Sequence, residues 1–174
     1  MTTVSPVRHA LHAGILLALL GLASYLPFQV FGVIPFTRTY AVSPAEKARL
    51  LEGLDLPDYY AQPVAPLSVD EQQLQARDFL WCRFCHTLNA GEAHRVGPNL
   101  HRIVGQPAGT VTDFAYSSGF LKARDNGVVW TPETLDSFLS DPHNYVPGNR
   151  MRFAPIADPE QRRRVIARLI EATR

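Results

Sequence analysis

The sequence predicts an all-α fold, in which a small helical domain follows a single N-terminal transmembrane helix. Residues 13–36 contain no Asp, Glu, Lys or Arg, and roughly 20 apolar residues suffice to cross a bilayer as a helix. Further along the chain, Ser68, Thr131 and Asp158 each stand where an N-cap precedes acidic residues or a proline. The alternating patterns typical of strands are absent.

Four helices follow from these signals in chain order. Residues 43–46 (Ser-Pro-Ala-Glu) predict a short amphipathic helix that ends near Pro57. Residues 68–71 (Ser-Val-Asp-Glu) read as a capping box for a second helix. Residues 131–133 and 158–161 each place a cap, a proline and an acid at a helix start.

The last of these helices is predicted to be amphipathic. One face carries the apolar residues Val165, Ile166, Leu169 and Ile170. The other face carries Arg162, Arg163, Arg164 and Arg168. A charged run of this kind is expected to form a solvated face.

Residues 81–86 (Trp-Cys-Arg-Phe-Cys-His) carry the most specific chemistry in the chain. Two thiols three positions apart with a histidine directly after the second is the arrangement that attaches a c-type haem. Each cysteine adds across one vinyl group, and His86 is placed to bind iron from the proximal side.

Two other kinds of site use the same cysteine spacing. A structural zinc site needs two further ligands, but Cys82 and Cys85 are the only cysteines and no suitably spaced histidine pair follows. A redox dithiol is expected in a βαβ unit, and no such pattern surrounds these residues. The motif therefore favours haem.

Haem iron needs a second axial ligand, and the composition narrows the choice. The chain has two methionines, the initiator and Met151, so a thioether ligand is predicted at Met151. The turn signal Pro147-Gly148 precedes it. His94, His101 and His143 are the competing distal ligands.

From Cys82 onward the chain resembles class I cytochrome c, in particular the mitochondrial type and its bacterial relatives. The resemblance covers roughly residues 70–174 and keeps the order and approximate spacing of the family's motifs. These motifs are 82–87 (CRFCHT), 97–101 (GPNLH), 104–105 (VG), 127–130 (GVVW), 145–148 (YVPG) and 151–154 (MRFA).

The resemblance implies one haem c attached through Cys82 and Cys85, with His86 and Met151 as the iron ligands. It implies further contacts at three positions: the Pro98 carbonyl would accept a hydrogen bond from the proximal histidine, while Trp130 and Asn149 would lie near a haem propionate. Two positions depart from the family pattern. Phe138 stands where many relatives have a tyrosine, and Gln106 stands where they often have an arginine.

The uncharged run at 13–36 is predicted to anchor the chain in a bilayer. Tyr25 suits the membrane interface. The alternative is a signal peptide cleaved after residues 21–23 (Gly-Leu-Ala), but the apolar stretch continues well beyond that point. The sequence thus predicts a membrane anchor at 1–36, a tether at 37–67 and a monohaem domain at 68–174.

Orientation follows from the cofactor. Arg38, Lys47 and Arg49 follow the span and only Arg8 precedes it, so the positive-inside rule does not favour a cytoplasmic N-terminus. Covalent haem attachment of this type occurs on the outer side of bacterial plasma membranes. We therefore expect a single-pass protein of the bacterial inner membrane, with its haem domain in the periplasm.

The expected function is single-electron transport, not catalysis. The resemblance suggests a quinol:cytochrome c oxidoreductase as donor and a terminal oxidase or photosynthetic reaction centre as acceptor. The alternatives are a stable subunit of a larger membrane oxidoreductase and, less favoured, a haem sensor or peroxidase. Arginines 83, 95, 150 and 152 predict a mildly basic docking face, and nothing in the nearly balanced formal charge of +1 indicates nucleic-acid binding.

Overall fold

The structure is a computed structural model that describes residues 6–31, 41–63 and 66–174. Its described residues are helical and irregular, with an isolated antiparallel β-bridge between Pro107 and Val129, so the predicted all-α class is confirmed. The helices are α1 (Pro6–Phe31), α2 (Pro44–Leu50), α3 (Val69–Phe79), α4 (Cys82–Cys85), α5 (Ser118–Asp125), α6 (Pro132–Ser140), α7 (Pro142–Tyr145) and α8 (Pro159–Ala172).

The chain divides into two compact units, Met1–Thr37 and Arg38–Arg174. The described part of the first unit is α1, in which apolar side chains between residues 11 and 22 are exposed on all sides. Within the described residues, no helix combines the length and the apolar character needed to cross a membrane. Residues 1–5 and 32–36 of the predicted anchor lie outside the described residues.

The predicted helix starts of the second unit are confirmed. The Ser68 hydroxyl accepts from the Glu71 backbone N–H at 3.3 Å, and the Glu71 carboxylate accepts from the Ser68 N–H at 2.9 Å. Thr131 and Asp158 cap α6 and α8. Ser43 caps α2, which ends at Leu50, earlier than predicted.

One hydrophobic core holds the second unit together. α8 packs against α3 and α6, and α6 also packs against α7. Burial of Val165, Ile166 and Leu169 confirms the predicted apolar face of α8. The other large residues of this core are Phe79, Ile103, Val104, Trp130, Leu135, Phe138, Val146 and Ile156.

The polar face of α8 differs from the solvated face that the sequence predicts. Arg164 Nε donates to a carboxylate oxygen of Asp78 at 2.8 Å, and the Asp78 side chain is only 2% exposed. Arg162 Nε donates to Asp136 at 2.7 Å. Two of the four arginines therefore join α8 to its neighbours, because Asp78 of α3 lies opposite Arg164 and Asp136 of α6 lies opposite Arg162.

Tyr59 and Tyr60, between α2 and α3, pack against the core of the second unit, to which they belong. The Tyr60 hydroxyl accepts from the Val104 backbone N–H at 2.9 Å. The Arg102 guanidinium lies 4.3 Å from the centre of the Tyr60 ring, a cation–π contact. The Tyr59 ring lies against Gly105. The tether predicted at 37–67 is thus held to the core at these two tyrosines.

Candidate functional site

The two cysteines lie on the short helix α4. Residues three apart on a helix point to the same side, so Cys82 and Cys85 present their thiols together. Cys82 is half-buried and Cys85 is exposed. Burial raises the pKa of Cys82 to about 11, so this thiol stays protonated at neutral pH. The spacing and exposure suit attachment of a porphyrin edge that lies across both sulfurs.

His86 follows α4 and is held by a single strong contact. Its Nδ1 lies 2.7 Å from the Pro98 carbonyl oxygen, so Nδ1–H donates and Nε2 carries the free lone pair. This is the contact expected for Pro98. Burial lowers the pKa of the imidazole, while the bond to Pro98 acts in the opposite direction. The result is a neutral, oriented ring, which is the form that binds metals.

Gly97 makes room for the His86 ring. A Cβ at position 97 would lie 2.2 Å from His86 Cε1 and 2.7 Å from Nε2, distances that no side chain tolerates. The Gly97 N–H also donates to the Cys85 carbonyl at 2.8 Å. The loop therefore passes directly against the imidazole because glycine has no side chain.

Met151 lies in a loop whose conformation is fixed by the hydrogen bonds of Asn149. Its side chain is half-buried and packs against the core. The Met151 N–H donates to Asn149 Oδ1 at 2.9 Å, while Asn149 Nδ2 donates to the carbonyls of Pro142 at 2.6 Å and Val146 at 2.9 Å. Asn149 thus fixes the loop that carries Met151.

Asn149 makes contacts that the sequence does not predict. Its amide is expected near a propionate, and in the structure both amide hydrogens are donated to loop carbonyls. The Pro142 carbonyl also accepts from the Val146 N–H and the Val146 carbonyl from the Asn149 N–H, each at 3.1 Å, so the buried amide adds a second hydrogen bond to each carbonyl.

Trp130 lies in an aromatic cluster and is 5% exposed. Its ring centre lies 5.2 Å from that of Phe138 and 6.2 Å from that of Phe120. Among the hydrogen bonds of the described residues, none uses the indole N–H of Trp130. No buried side-chain nitrogen or oxygen of these residues lacks a partner, so this N–H is open to solvent or to a ligand. That donor is therefore available to a bound acceptor such as a propionate.

The competing histidines are less suited to bind iron. Both ring nitrogens of His94 are engaged, because Nδ1 accepts from the Asn99 N–H at 3.0 Å and Nε2 lies 2.8 Å from the Thr112 carbonyl. His143 is exposed on α7. His101 is half-buried, and its backbone N–H donates to Asn99 Oδ1.

Sequence reasoning assigned no role to Gly97 or Gly119. A Cβ on Gly119 would lie 2.4 Å from the Pro147 carbonyl oxygen. Gly119 therefore lets α5 approach the loop that carries Met151. The detectable signal was the Gly97-Pro98 pair, which begins eleven positions after His86, but contact distances of this kind follow only from the fold.

The residues present fit a covalently bound haem. The structure brings Cys82, Trp130 and Met151 to one core and places His86 beside Cys85. Three features suit a bound haem: the Nε2 of His86 opposite its bonded Nδ1, the indole N–H of Trp130, and two thiols three residues apart on α4. A porphyrin with propionates uses all three.

Comparison with known proteins finds relatives in the family that the sequence resembles. Over 92 residues the chain is 44% identical to cytochrome c2 of Agrobacterium tumefaciens, an alignment that covers 53% of this chain and 83% of that protein. It is 37% identical over 92 residues to cytochrome c of Nigella damascena, covering 53% and 80% of the two chains. No protein-family model matches the chain.

A solved structure is similar as well. Cytochrome cH from Methylobacterium extorquens has 34% sequence identity and a TM-score of 0.50, and the match covers 56% of this chain and 94% of that one. The relatives are electron carriers. On its motif, its geometry and these similarities, the chain belongs to the class I cytochrome c family: it has one haem c attached covalently through Cys82 and Cys85, and it carries electrons instead of acting as an enzyme.

Proposed function

We propose that His86 and Met151 are the two axial ligands of the haem iron. The observation that carries this proposal is the His86 ring, whose Nδ1–H is bound to Pro98 at 2.7 Å while Nε2 remains free. A backbone acceptor fixes the tautomer and makes the opposite nitrogen a better donor to metal. Met151 supports the assignment because its loop is held by Asn149 and its side chain faces the core.

The surrounding residues would then tune and protect the cofactor. When bound, the iron gains and loses one electron at a time. Trp130 would direct its N–H to a propionate, and Phe120 and Phe138 would exclude water from the same wall. With both axial positions filled, no substrate would reach the metal, which favours a carrier over a sensor or peroxidase.

We further propose the domain arrangement of an anchored carrier, with an anchor at 1–36, a connecting segment at 37–67 and the haem domain at 68–174. The support comes from the uncharged run at 13–36 and from the exposed apolar side chains of α1. A helix that is apolar on every side favours a bilayer or a partner over water. Covalent haem attachment favours the periplasmic face of a bacterial inner membrane.

The proposed partners are membrane complexes that exchange single electrons. A quinol:cytochrome c oxidoreductase would be the donor, and a terminal oxidase or photosynthetic reaction centre would be the acceptor. A second candidate is a fixed subunit of one such complex. The contacts of Tyr59 and Tyr60 with the core favour it, because they shorten the free tether that a swinging carrier uses.

Membrane extraction tests the anchored arrangement. We expect the protein to remain in membranes washed with high salt or alkali, and to enter solution only with detergent. A matched variant, Leu16→Lys with Leu20→Lys, places two charges in the apolar run at a cost of about 2.5–3.5 kcal/mol each at the centre of a bilayer. We expect this variant to lose alkali resistance while keeping its haem spectrum.

The same experiment separates the two candidates. When a mild-detergent extract is separated by size-exclusion chromatography, a mobile carrier elutes by itself, whereas a fixed subunit elutes with its complex. Complete release of the wild-type protein by salt would contradict the anchor.

A further inference from the structure

The turn at residues 102–106 depends on a side chain that lies far away in sequence. Val104 is only 2% exposed, so its backbone N–H needs an acceptor within the protein. Among the hydrogen bonds of the described residues, that acceptor is the hydroxyl of Tyr60, 44 positions earlier, at 2.9 Å. Loss of this acceptor would leave a buried donor unsatisfied, which is more costly than loss of an exposed hydrogen bond. The turn therefore needs Tyr60 to keep its conformation.

Arg102, at the start of this turn, adopts a backbone conformation that residues with a Cβ disfavour. Its φ is +48°, in the left-handed region. The guanidinium lies 4.3 Å from the centre of the Tyr60 ring and 3.8 Å from a carboxylate oxygen of Asp58. The ion pair is about half exposed and contributes little alone, so the cation–π contact with the ring is the stronger of the two. One tyrosine thus stabilises Arg102 with its ring and Val104 with its hydroxyl.

Two neighbours of Tyr60 complete the contact with the turn. The Asp58 carboxylate accepts from the Tyr60 N–H at 2.9 Å, which fixes the backbone on which the ring is mounted. Ring carbons of Tyr59 lie 3.5 and 3.7 Å from the point where a Cβ on Gly105 would stand. We call Asp58, Tyr59 and Tyr60 the Tyr60 clasp. It precedes residue 70, where the resemblance to class I cytochrome c begins, so the clasp is a feature of this chain and not of the shared domain.

The turn that the clasp supports is bonded directly to Trp130. The Gly105 N–H donates to the Trp130 carbonyl at 2.7 Å, and the Trp130 N–H donates to the Gln106 carbonyl at 2.9 Å. These two bonds flank the backbone that carries the indole, whose own N–H is the donor proposed for a haem propionate. A shift of the turn would therefore shift the indole. The clasp, the turn and Trp130 form one connected series that ends at the cofactor site.

We propose that the Tyr60 clasp is a positioning element of the haem site, which raises the midpoint potential of the bound haem by holding Trp130 in place. This rests on the proposed function above, in which the indole donates to a propionate, and adds a determinant of the potential from outside the family domain. A hydrogen bond from the indole draws negative charge away from the haem, and a closed turn keeps water from it. Both effects disfavour ferric iron, so opening the clasp lowers the potential.

Two measurements on the full-chain holoprotein in detergent test the proposal. Tyr60→Phe keeps the ring beside Arg102 and removes the hydroxyl that the Val104 N–H uses. We expect hydrogen exchange of the Val104 amide, followed by NMR of the reduced protein, to become on the order of tenfold faster. We expect the ratio of reduced to oxidised haem at a fixed potential to fall roughly threefold, which is a midpoint potential about 28 mV lower at ~59 mV per tenfold change. Tyr60→Leu, which also removes the ring, should enlarge both effects.

The control variant is Leu54→Ala, which removes a side chain of the same segment that is 48% exposed and outside the core. We expect it to change neither the exchange rate nor the potential.

The route through Trp130 is tested in a Trp130→Phe background, where Tyr60→Phe should have little further effect on the potential. An equal decrease in both backgrounds would overturn the proposal. Faster exchange in Tyr60→Phe at an unchanged potential would also overturn it, because the clasp would then only stabilise the fold, and so would an unchanged exchange rate. The proposed axial ligands are tested separately by the thioether absorption of the wild-type protein, whose absence would count against those ligands and not against the clasp.

Discussion

Replacing Met151 by alanine is expected to remove the long-wavelength absorption of the ferric thioether complex and to lower the midpoint potential. The reason is that a thioether stabilises ferrous iron, so methionine ligation raises the potential. We expect a decrease on the order of 0.1–0.2 V, within the ~0.8 V range over which axial ligands set haem potentials. Optical spectroscopy and redox titration of the purified holoprotein measure both effects.

The control for this change is Met151→His. A nitrogen ligand at the same place should keep the iron six-coordinate and still lower the potential. Unchanged spectra in Met151→Ala would move the distal ligand elsewhere. His101 would be the next candidate, because both nitrogens of His94 are engaged and His143 is exposed.

Replacing Asp78 by alanine is expected to destabilise the second unit by roughly 3 kcal/mol. The Asp78 carboxylate is 2% exposed and accepts from Arg164 at 2.8 Å and from Arg77 at 3.2 Å. Its removal leaves the largely buried Arg164 guanidinium with only Asp158, 4.0 Å away. Breaking a buried pair in this way typically costs about 3–5 kcal/mol, and the partial exposure of Arg164 favours the lower end. Denaturant unfolding of the holoprotein, followed by far-ultraviolet circular dichroism, gives the change.

Two further variants make this result specific. Asp125→Ala removes a carboxylate that is 64% exposed and pairs with Arg124 at 3.0 Å, and we expect a loss below about 1 kcal/mol. Asp78→Leu combined with Arg164→Leu replaces the pair by apolar groups and should recover most of the stability. Equal losses for Asp78→Ala and Asp125→Ala would show that burial of the pair does not matter.

The helices were predictable where a local signal defines them. Ser68, Thr131 and Asp158 each cap a helix because the polar side chain and the residues that follow it form a self-contained turn. Helix α5 was not predicted, although Ser117 caps it. Its sequence is short and polar, and it is stabilised by the loop that carries Met151.

Predictions failed where residues distant in sequence decide the structure. The arginines of α8 look solvated in sequence, because nothing local shows that Asp78 and Asp136 lie opposite them. The fold of residues 58–60 onto Val104 and Gly105 depends on contacts across more than forty positions. Hydrophobic pattern and composition do not specify such pairings.

In the functional site, too, some residues were predictable from local sequence and others depend on the fold. Cys82, Cys85 and His86 follow from a contiguous motif, and the Pro98 contact follows from the family resemblance. The hydrogen bonds from Asn149 to the Pro142 and Val146 carbonyls did not follow, because they depend on where the folded turn places those carbonyls. Glycine is required at position 97 because a Cβ there would lie 2.2 Å from His86 Cε1. Only the folded loop defines that distance.

Carbon monoxide binding to the reduced holoprotein tests most directly whether both axial positions are filled. Carbon monoxide binds ferrous haem only at an open or readily vacated position. If His86 and Met151 are the ligands, the Soret spectrum of the wild-type protein at neutral pH should not change under saturating carbon monoxide, while that of Met151→Ala should shift at once. Rapid carbon monoxide binding by the wild-type protein would show an open iron position and contradict the assignment of a closed, six-coordinate electron carrier.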